Sequence, residues 1–314
     1  KLLKIQSNSD INVNFQISLA NSGDGTNYYN THALELNSAN GSINLAAPVR
    51  TQPVATGSYV GTGYYSGSIT LSAVNGTIGS TSAGVINASG YNATNTGYSQ
   101  YAGAINISAK NVNIASAITS TSNRGDASFG GDITITTTST VVDGSNVGVS
   151  GVISGKNFTK SGAGILKLSG VNAYAGTTSI GAGTLQLGTG ANIPDLSAVS
   201  LSSSNSVLDM NAKSETIGSL ASANALSLVS SSGSGNYVLT TGGNNTSTSY
   251  AGLLQDTMLS GSGVLSIVKS GSGSWSLSNA NSYSGLSTVS VGTLAISHSS
   301  ALGSVTSGTV VSSG

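Results

Sequence analysis

The sequence predicts an all-β solenoid with looped-out insertions, and three observations carry that prediction. Aliphatic residues occupy every second position in many short runs. A larger unit recurs along the first half, at Gly41, Gly67, Gly103 and Gly131. One phrase, Lys160 to Leu187, returns without a gap as Lys269 to Ile296.

The short runs are "SINLAA", "SITLSA", "AINISA", "DITITT", "ILKLSG", "TLQLG", "VLDMN", "VLSIV" and "TLAIS", most of them bounded by Gly, Asn or Ser. Alternation of this kind puts apolar side chains on one face of a strand and polar ones on the other. Apolar spacing at three and four residues, the mark of a helix, is nearly absent. The larger unit of the first half is the phrase Gly-x-Ile-(Asn/Thr)-(Leu/Ile), begun by each of the four glycines. Its intervals suit one coil of a solenoid with surplus residues looped out, since a coil takes roughly 20 to 30 residues. A coil cannot bury its apolar face alone, so successive coils stack, with strands pairing in parallel and aliphatic residues forming ladders inside. Tyr65, Tyr101 and Phe129 each precede a phrase glycine by two residues and predict an aromatic ladder. Two readings of it stand open: a packed stack at a coil corner, or an exposed strip able to stack on sugar rings.

The repeated phrase shares Lys-Ser-Gly-x-Gly, then Leu168 and Leu277, then Asn172-x-Tyr174-x-Gly176 against Asn281-x-Tyr283-x-Gly285, then Gly-Thr-Leu at Gly183 and Gly292. Its glycines suit tight corners, its alternating leucines and Trp275 point inward, and Tyr174 and Tyr283 are expected to cap the core with their hydroxyls reaching water. The phrase therefore specifies roughly one coil and its corners. It resembles the autotransporter-associated β-strand repeat of Gram-negative passenger domains, over residues 151–314. The segments "VLDMNAKSETIGSLAS" and "LTTGGNNTSTSYAGLL" are similar to the linkers of those passengers. Residues 1–150 look more like the strands of filamentous-haemagglutinin-type secreted adhesins. Both resemblances imply a right-handed parallel β-helix displayed outside the outer membrane, delivered by a barrel on the same chain or by a separate transporter. Two regions of one continuous solenoid are expected, 1–150 with Tyr-rich loops and 151–314 with the two repeats. Both ends fall in mid-pattern, which reads as an excerpt of a longer polypeptide.

Composition narrows the chemistry. The 314 residues carry zero formal net charge, 6% charged residues, 43 glycines and no cysteine. Absent thiols remove thiol catalysis, disulfide frameworks and Cys-ligated zinc. Nucleic acid is an unsuitable partner, because ten basic residues spread over the chain form no basic stripe. No apolar run of membrane-spanning length occurs.

Catalytic groups are scarce. The carboxylates are scattered, and although Asp126, Asp132 and Asp143 lie near one another in sequence, their spacing is not that of one coil. His32 and His298 lie at opposite ends of the chain, so the many serines have no activating base. Glycine-rich stretches such as "SGSGS" at 270–274 lack the context of a phosphate loop. We expect no enzyme, no cofactor and no metal. Arg124-Gly125-Asp126 spells the tripeptide read by integrins, and its plainer reading is a charged turn. Sequons at Asn87, Asn92, Asn106 and Asn157 are noted.

The expected function, implied chiefly by the resemblance, is a bacterial cell-surface or secreted adhesin segment: a rod presenting loops at 20–32, 50–66, 88–102 and 120–130. Its candidate ligand contacts are Tyr28, Tyr29, Tyr59, Tyr64, Tyr91, Tyr98, Arg124 and Asp126. Candidate partners are host or bacterial surface glycans or proteins, neighbouring rods through self-association, and an outer-membrane transporter during secretion. A structural stalk or self-associating filament is the alternative, and a glycan-cleaving β-helix the second.

Overall fold

The chain is an all-β parallel β-helix, seen in a computed structural model that describes residues 2–19, 32–51, 64–90, 100–122, 129–141, 148–258 and 262–312, with backbone alone at Tyr64 and Gln100. It divides into two compact units, Lys1–Thr159 with Ser169–Ala175, and Lys160–Leu168 with Gly176–Gly314.

In the first unit each coil has three short strands, one on each of three faces. The first face stacks Leu2–Ser7, Ala33–Ser38, the opening of Ile69–Ser80, the opening of Ile105–Ile114, and Ile133–Thr137, all parallel. The second carries Ile11–Val13, Ile43–Leu45, the closing residues of the two long strands, and Gly148–Val149. The third carries Ile17–Ser18, Val49–Arg50, Ile86–Asn87, Ile118–Thr119 and Ile153–Ser154.

Parallel register places like on like, because the side-chain period of two is preserved from coil to coil. Leu34, Ile69, Ile105 and Ile133 form one inner ladder, and Leu36, Leu71, Ile107 and Ile135 the next. All eight are buried. Each such side chain contributes about 1.5–3 kcal/mol on burial, so the ladders outweigh any single surface contact. Glu35, Thr70, Asn106 and Thr134, at alternate positions, line the outer face of the same sheet.

The phrase at Gly67, Gly103 and Gly131 does mark one column, since the following Ile69, Ile105 and Ile133 pair in register. Gly41 is a correction. Ile43 of its phrase pairs with Ile11 and Ile78 on the second face, so the step from Gly41 to Gly67 is not one coil. The alternating pattern is the same on every face and cannot say which face a strand occupies.

The second unit repeats the three-faced coil with shorter turns. One face stacks Ile165–Leu168, Gly183–Leu187, Ser206–Asp209, Leu228–Ser230 and Leu253–Leu254. Its inner ladder runs Leu166, Leu185, Leu208, Val229, Leu254, in steps that vary from coil to coil. Another face includes Thr248–Tyr250, Ser274–Leu277 and Thr293–Ile296. The third holds Glu215–Ile217, Asn236–Thr241, Val264–Lys269, Ser287–Val289 and Thr309–Val311.

The two copies of the phrase therefore occupy different faces. Ile165–Leu168 of the first pairs with Gly183–Leu187, and Ser274–Leu277 of the second pairs with Thr293–Ile296 one face away. Coils of unequal length separate the copies, so the phrase sets the shape of a coil and not its angular position.

Candidate functional site

Four segments outside the described residues, 20–31, 52–63, 91–99 and 123–128, share one topological position. Each follows a third-face strand, Ile17–Ser18, Val49–Arg50, Ile86–Asn87 or Ile118–Thr119, and precedes the next first-face strand. Their ends are held in the ladders. Leu19 N–H donates to the Arg50 carbonyl at 2.9 Å, Thr51 N–H to that of Asn87 at 3.0 Å and Gly90 N–H to that of Thr121 at 2.9 Å. On the return side Gly103 N–H donates to the Ala88 carbonyl and Gly131 N–H to that of Ser120. Stacked coils thus bring the ends of all four segments to one corner.

Of the sequence candidates, Tyr28, Tyr29, Tyr59, Tyr91, Tyr98, Arg124 and Asp126 lie outside the described residues. Tyr64 lies in the strand Tyr64–Tyr65, which pairs in parallel with Gln100–Tyr101 at this corner. The aromatic ladder is present. Tyr65 and Tyr101 stack with centroids 4.5 Å apart and planes 6° from parallel, and Tyr101 meets Phe129 edge to face at 4.9 Å and 85°. Tyr65 is 47% exposed, while Tyr101 and Phe129 are half-buried.

The corners of the repeated phrase are built differently. Lys160 is fully buried and points its ammonium inward, where it donates to the carbonyls of Ser161, Gly162 and Ala182 at 2.8, 2.7 and 2.9 Å. Lys269 repeats the arrangement with Ser270, Gly271 and Val291 at 2.5, 2.8 and 3.3 Å. The glycines explain why a cation is needed. Gly162 and Gly271, at φ of 73° and 68°, take the left-handed turn that brings their carbonyls to the lysine. Buried carbonyls need donors, and one ammonium supplies three. Burial pulls the Lys160 ammonium down to about 8, so it remains protonated at neutral pH, and burial lowers Lys269 in the same direction. Sequence reasoning assigned this lysine no role. Its recurrence at the head of both copies, in so uncharged a chain, was the available signal.

The phrase asparagine joins coils. Asn281 Oδ1 accepts from Leu254 N–H at 2.9 Å, while its Nδ2 donates to the Ala301 carbonyl at 2.7 Å. Asn172 Oδ1 likewise accepts from Ile153 N–H at 3.1 Å. The phrase tyrosines correct the expectation of wet hydroxyls. Tyr174 is 1% exposed against Phe158, and Tyr283 is 0% exposed with its hydroxyl 2.7 Å from Ser287 Oγ. A serine at the strand start supplies the partner that water would otherwise be. Trp275 is buried in register with Thr248 and Leu294, an inward position as expected.

Acidic groups act locally among the described residues. Asp132 accepts from Asn157 Nδ2 at 2.9 Å, while Asp126 and Asp143 lie outside the described residues. Asp209 accepts the N–H groups of Asn211 and Ser232 and the amide of Gln186. Glu215, 7% exposed, accepts from Ile193 N–H at 2.6 Å. Burial raises its carboxyl to about 7; the Ile193 bond opposes the rise and Asp195 adds to it. Among the described residues no three His, Asp or Glu side chains converge as a metal site.

Stacked coils and a corner that recurs from coil to coil define a β-helical repeat protein. The family model described as passenger-associated-transport-repeat matches residues 158–187 and again 267–296. The chain thus carries two repeats of an autotransporter passenger domain, which imply an outer-membrane transporter and delivery to the cell surface or beyond. No curated protein and no solved structure matches the chain.

Proposed function

We propose that this chain is an attachment segment of a surface-displayed or secreted passenger, in which the β-helix presents loops to a host surface, a glycan or a neighbouring cell. One observation carries the reading: the described residues that flank 20–31, 52–63, 91–99 and 123–128 meet at the same corner of successive coils. A solenoid needs only its strands to stack, so residues that add nothing to the ladders are free to diversify. Five of the candidate tyrosines and the Arg124-Gly125-Asp126 tripeptide lie in those segments. Weak contacts repeated along one edge gain by multivalency. The outward half of the chemistry is neutral and polar, suited to hydrogen bonding and stacking more than to ion pairing.

The test is to replace Tyr28, Tyr29, Tyr59, Tyr91 and Tyr98 together by serine and measure attachment of the purified chain to immobilised host-cell surfaces. Attachment lost with the β-sheet spectrum retained supports the reading. Unchanged attachment removes the loops from it. A chain that attaches to no surface but forms multimers that the serine substitutions dissolve supports the filament alternative, which zero net charge favours because little repulsion opposes association.

A further inference from the structure

We infer that the second face of the first unit is a self-association surface, on which a second copy of this chain lies antiparallel with its Asn113 seated over Gly79. One outward column runs between the buried ladders of that face: Asn12, Asn44, Gly79, Asn113 and Gly148, in register from coil to coil. The three asparagines are exposed. Gly148 is explained by its φ of 87°. Gly79 has no such internal cause. A Cβ on Gly67, Gly76 or Gly103 would come within 2.3, 2.1 or 2.1 Å of a neighbouring coil's backbone, whereas on Gly79 it would meet nothing nearer than 3.5 Å, and no positive φ demands glycine there. Glycine inside a strand costs about 0.5–1 kcal/mol relative to alanine and often marks a place where another chain or a ligand approaches closely.

The recess over Gly79 has polar walls. On one side Asn44 Nδ2 donates to Asn12 Oδ1 at 2.9 Å, which leaves Asn44 Oδ1 at the recess, 4.0 Å from the place a Gly79 Cβ would take. On the other side the exposed Asn113 amide has no hydrogen-bond partner among the described residues. A side chain that fits the recess is thus carried one strand away on the same chain, and this selects the partner. Turning a second copy about an axis along the strand direction, midway between Gly79 and Asn113, reverses the order of the column. Asn113 of each copy then faces Gly79 of the other, and Asn44 of each faces Gly148 of the other. Asparagine meets glycine at all four positions, and Asn113 Nδ2 is placed to donate to Asn44 Oδ1 of the other copy. A turn about the coil axis would instead set asparagine on asparagine. Beside the column lie Ser42 and Thr77 on one side and Ala46, Thr81, Ala115 and Ser150 on the other. All are small and uncharged, so no repulsion opposes contact. Three strand spacings, about 14 Å, separate Asn44 from Gly148. One patch is therefore smaller than the roughly 800 Å² per partner of a stable complex, and the association is weak and reversible.

Sedimentation velocity over a concentration series compares the parent with Gly79→Asn, which adds a second knob, and with Asn113→Gly, which leaves two holes. Circular dichroism verifies folding, and Asn113→Ala stands in if the glycine variant does not fold. The parent is expected to form a reversible dimer, and each single variant to associate about tenfold more weakly. An equal mixture of the two single variants, and the double variant Gly79→Asn with Asn113→Gly, both restore asparagine against glycine and are expected to regain the parent's association. A parent that stays monomeric up to millimolar concentration overturns the inference, as do single variants that dimerise like the parent. Losses that neither the mixture nor the double variant repairs also overturn it, the result expected if a small ligand or another protein fills the recess. The inference uses none of the four loop segments, so serine in place of their tyrosines leaves this dimer intact and either reading can fail without the other.

Discussion

Lys160 and Lys269 show how one side chain can stabilise a corner that the backbone alone would leave unsatisfied. Lys160→Met keeps the aliphatic stem and removes the donor from three inward carbonyls. Each buried unpaired group costs about 1–3 kcal/mol, while loss of the buried charge returns roughly 3 kcal/mol of desolvation. We expect the variant to be less stable by about 2 kcal/mol, seen as an earlier denaturation midpoint in the fluorescence of Trp275, the single tryptophan. A midpoint at or above that of the parent would show that the cap contributes nothing. Glu215 makes a second residue-scale prediction, with opposite dependence on its proton. Its folded carboxyl titrates near 7 instead of its ordinary 4.5, so the folded state holds the proton more tightly. The stability it contributes is full below about pH 4.5 and is lost as pH rises through 7, by on the order of 2–3 kcal/mol. Glu215→Gln keeps an oxygen for Ile193 N–H and should flatten the fall in melting temperature over that window; an unaltered profile assigns it to other groups.

At the scale of the element, what matters is how closely one coil can lie on the next. Gly67, Gly103 and Gly131 stack at the entry to the first face, and a Cβ on Gly103 would overlap the Gly67 carbonyl. Gly103→Ala must therefore push two coils apart or break the pairing of Ile69 with Ile105. We expect a loss of about 2–3 kcal/mol and faster amide exchange in 69–73 and 105–109, while an alanine at exposed Asn106 on the same strand changes stability by less than about 0.5 kcal/mol. Equal effects from the two would remove the close approach as the cause. Strands were legible one by one, because alternation such as "INISA" is a local signal. Face assignment was not. Gly41 opens a phrase indistinguishable from that at Gly67, yet its strand lies on the second face because Ser38 and Ala39 end the preceding strand and turn the chain there.

At the scale of the whole molecule, charge is the property that sets how this chain meets others. Ten acidic and ten basic residues cancel, so stacking and hydrogen bonding, which salt screens little, must supply any attachment. Attachment to a glycan surface is expected to change by less than about threefold between low and high ionic strength, where ion-pair-driven binding would fall by orders of magnitude. A steep salt dependence, measured by surface plasmon resonance, would point to Arg124 and the other few charges instead of the aromatic rings.

The sequence by itself determined the class of fold, the existence of most strands and the repeat. Alternation, glycine at corners and a phrase written twice are each readable within a single coil's length of chain, and the aromatic ladder followed from the offset of Tyr65, Tyr101 and Phe129 to their glycines. Only the tertiary structure decided which face each strand takes, that the two copies of the phrase lie on different faces, that its lysine is an internal donor and that its tyrosines are dry. Those facts depend on groups a full coil apart in sequence, such as Leu166 with Leu185 or Ile69 with Ile105, meeting across a coil boundary. The number of residues in each turn fixes those meetings, and local pattern carries no record of that number.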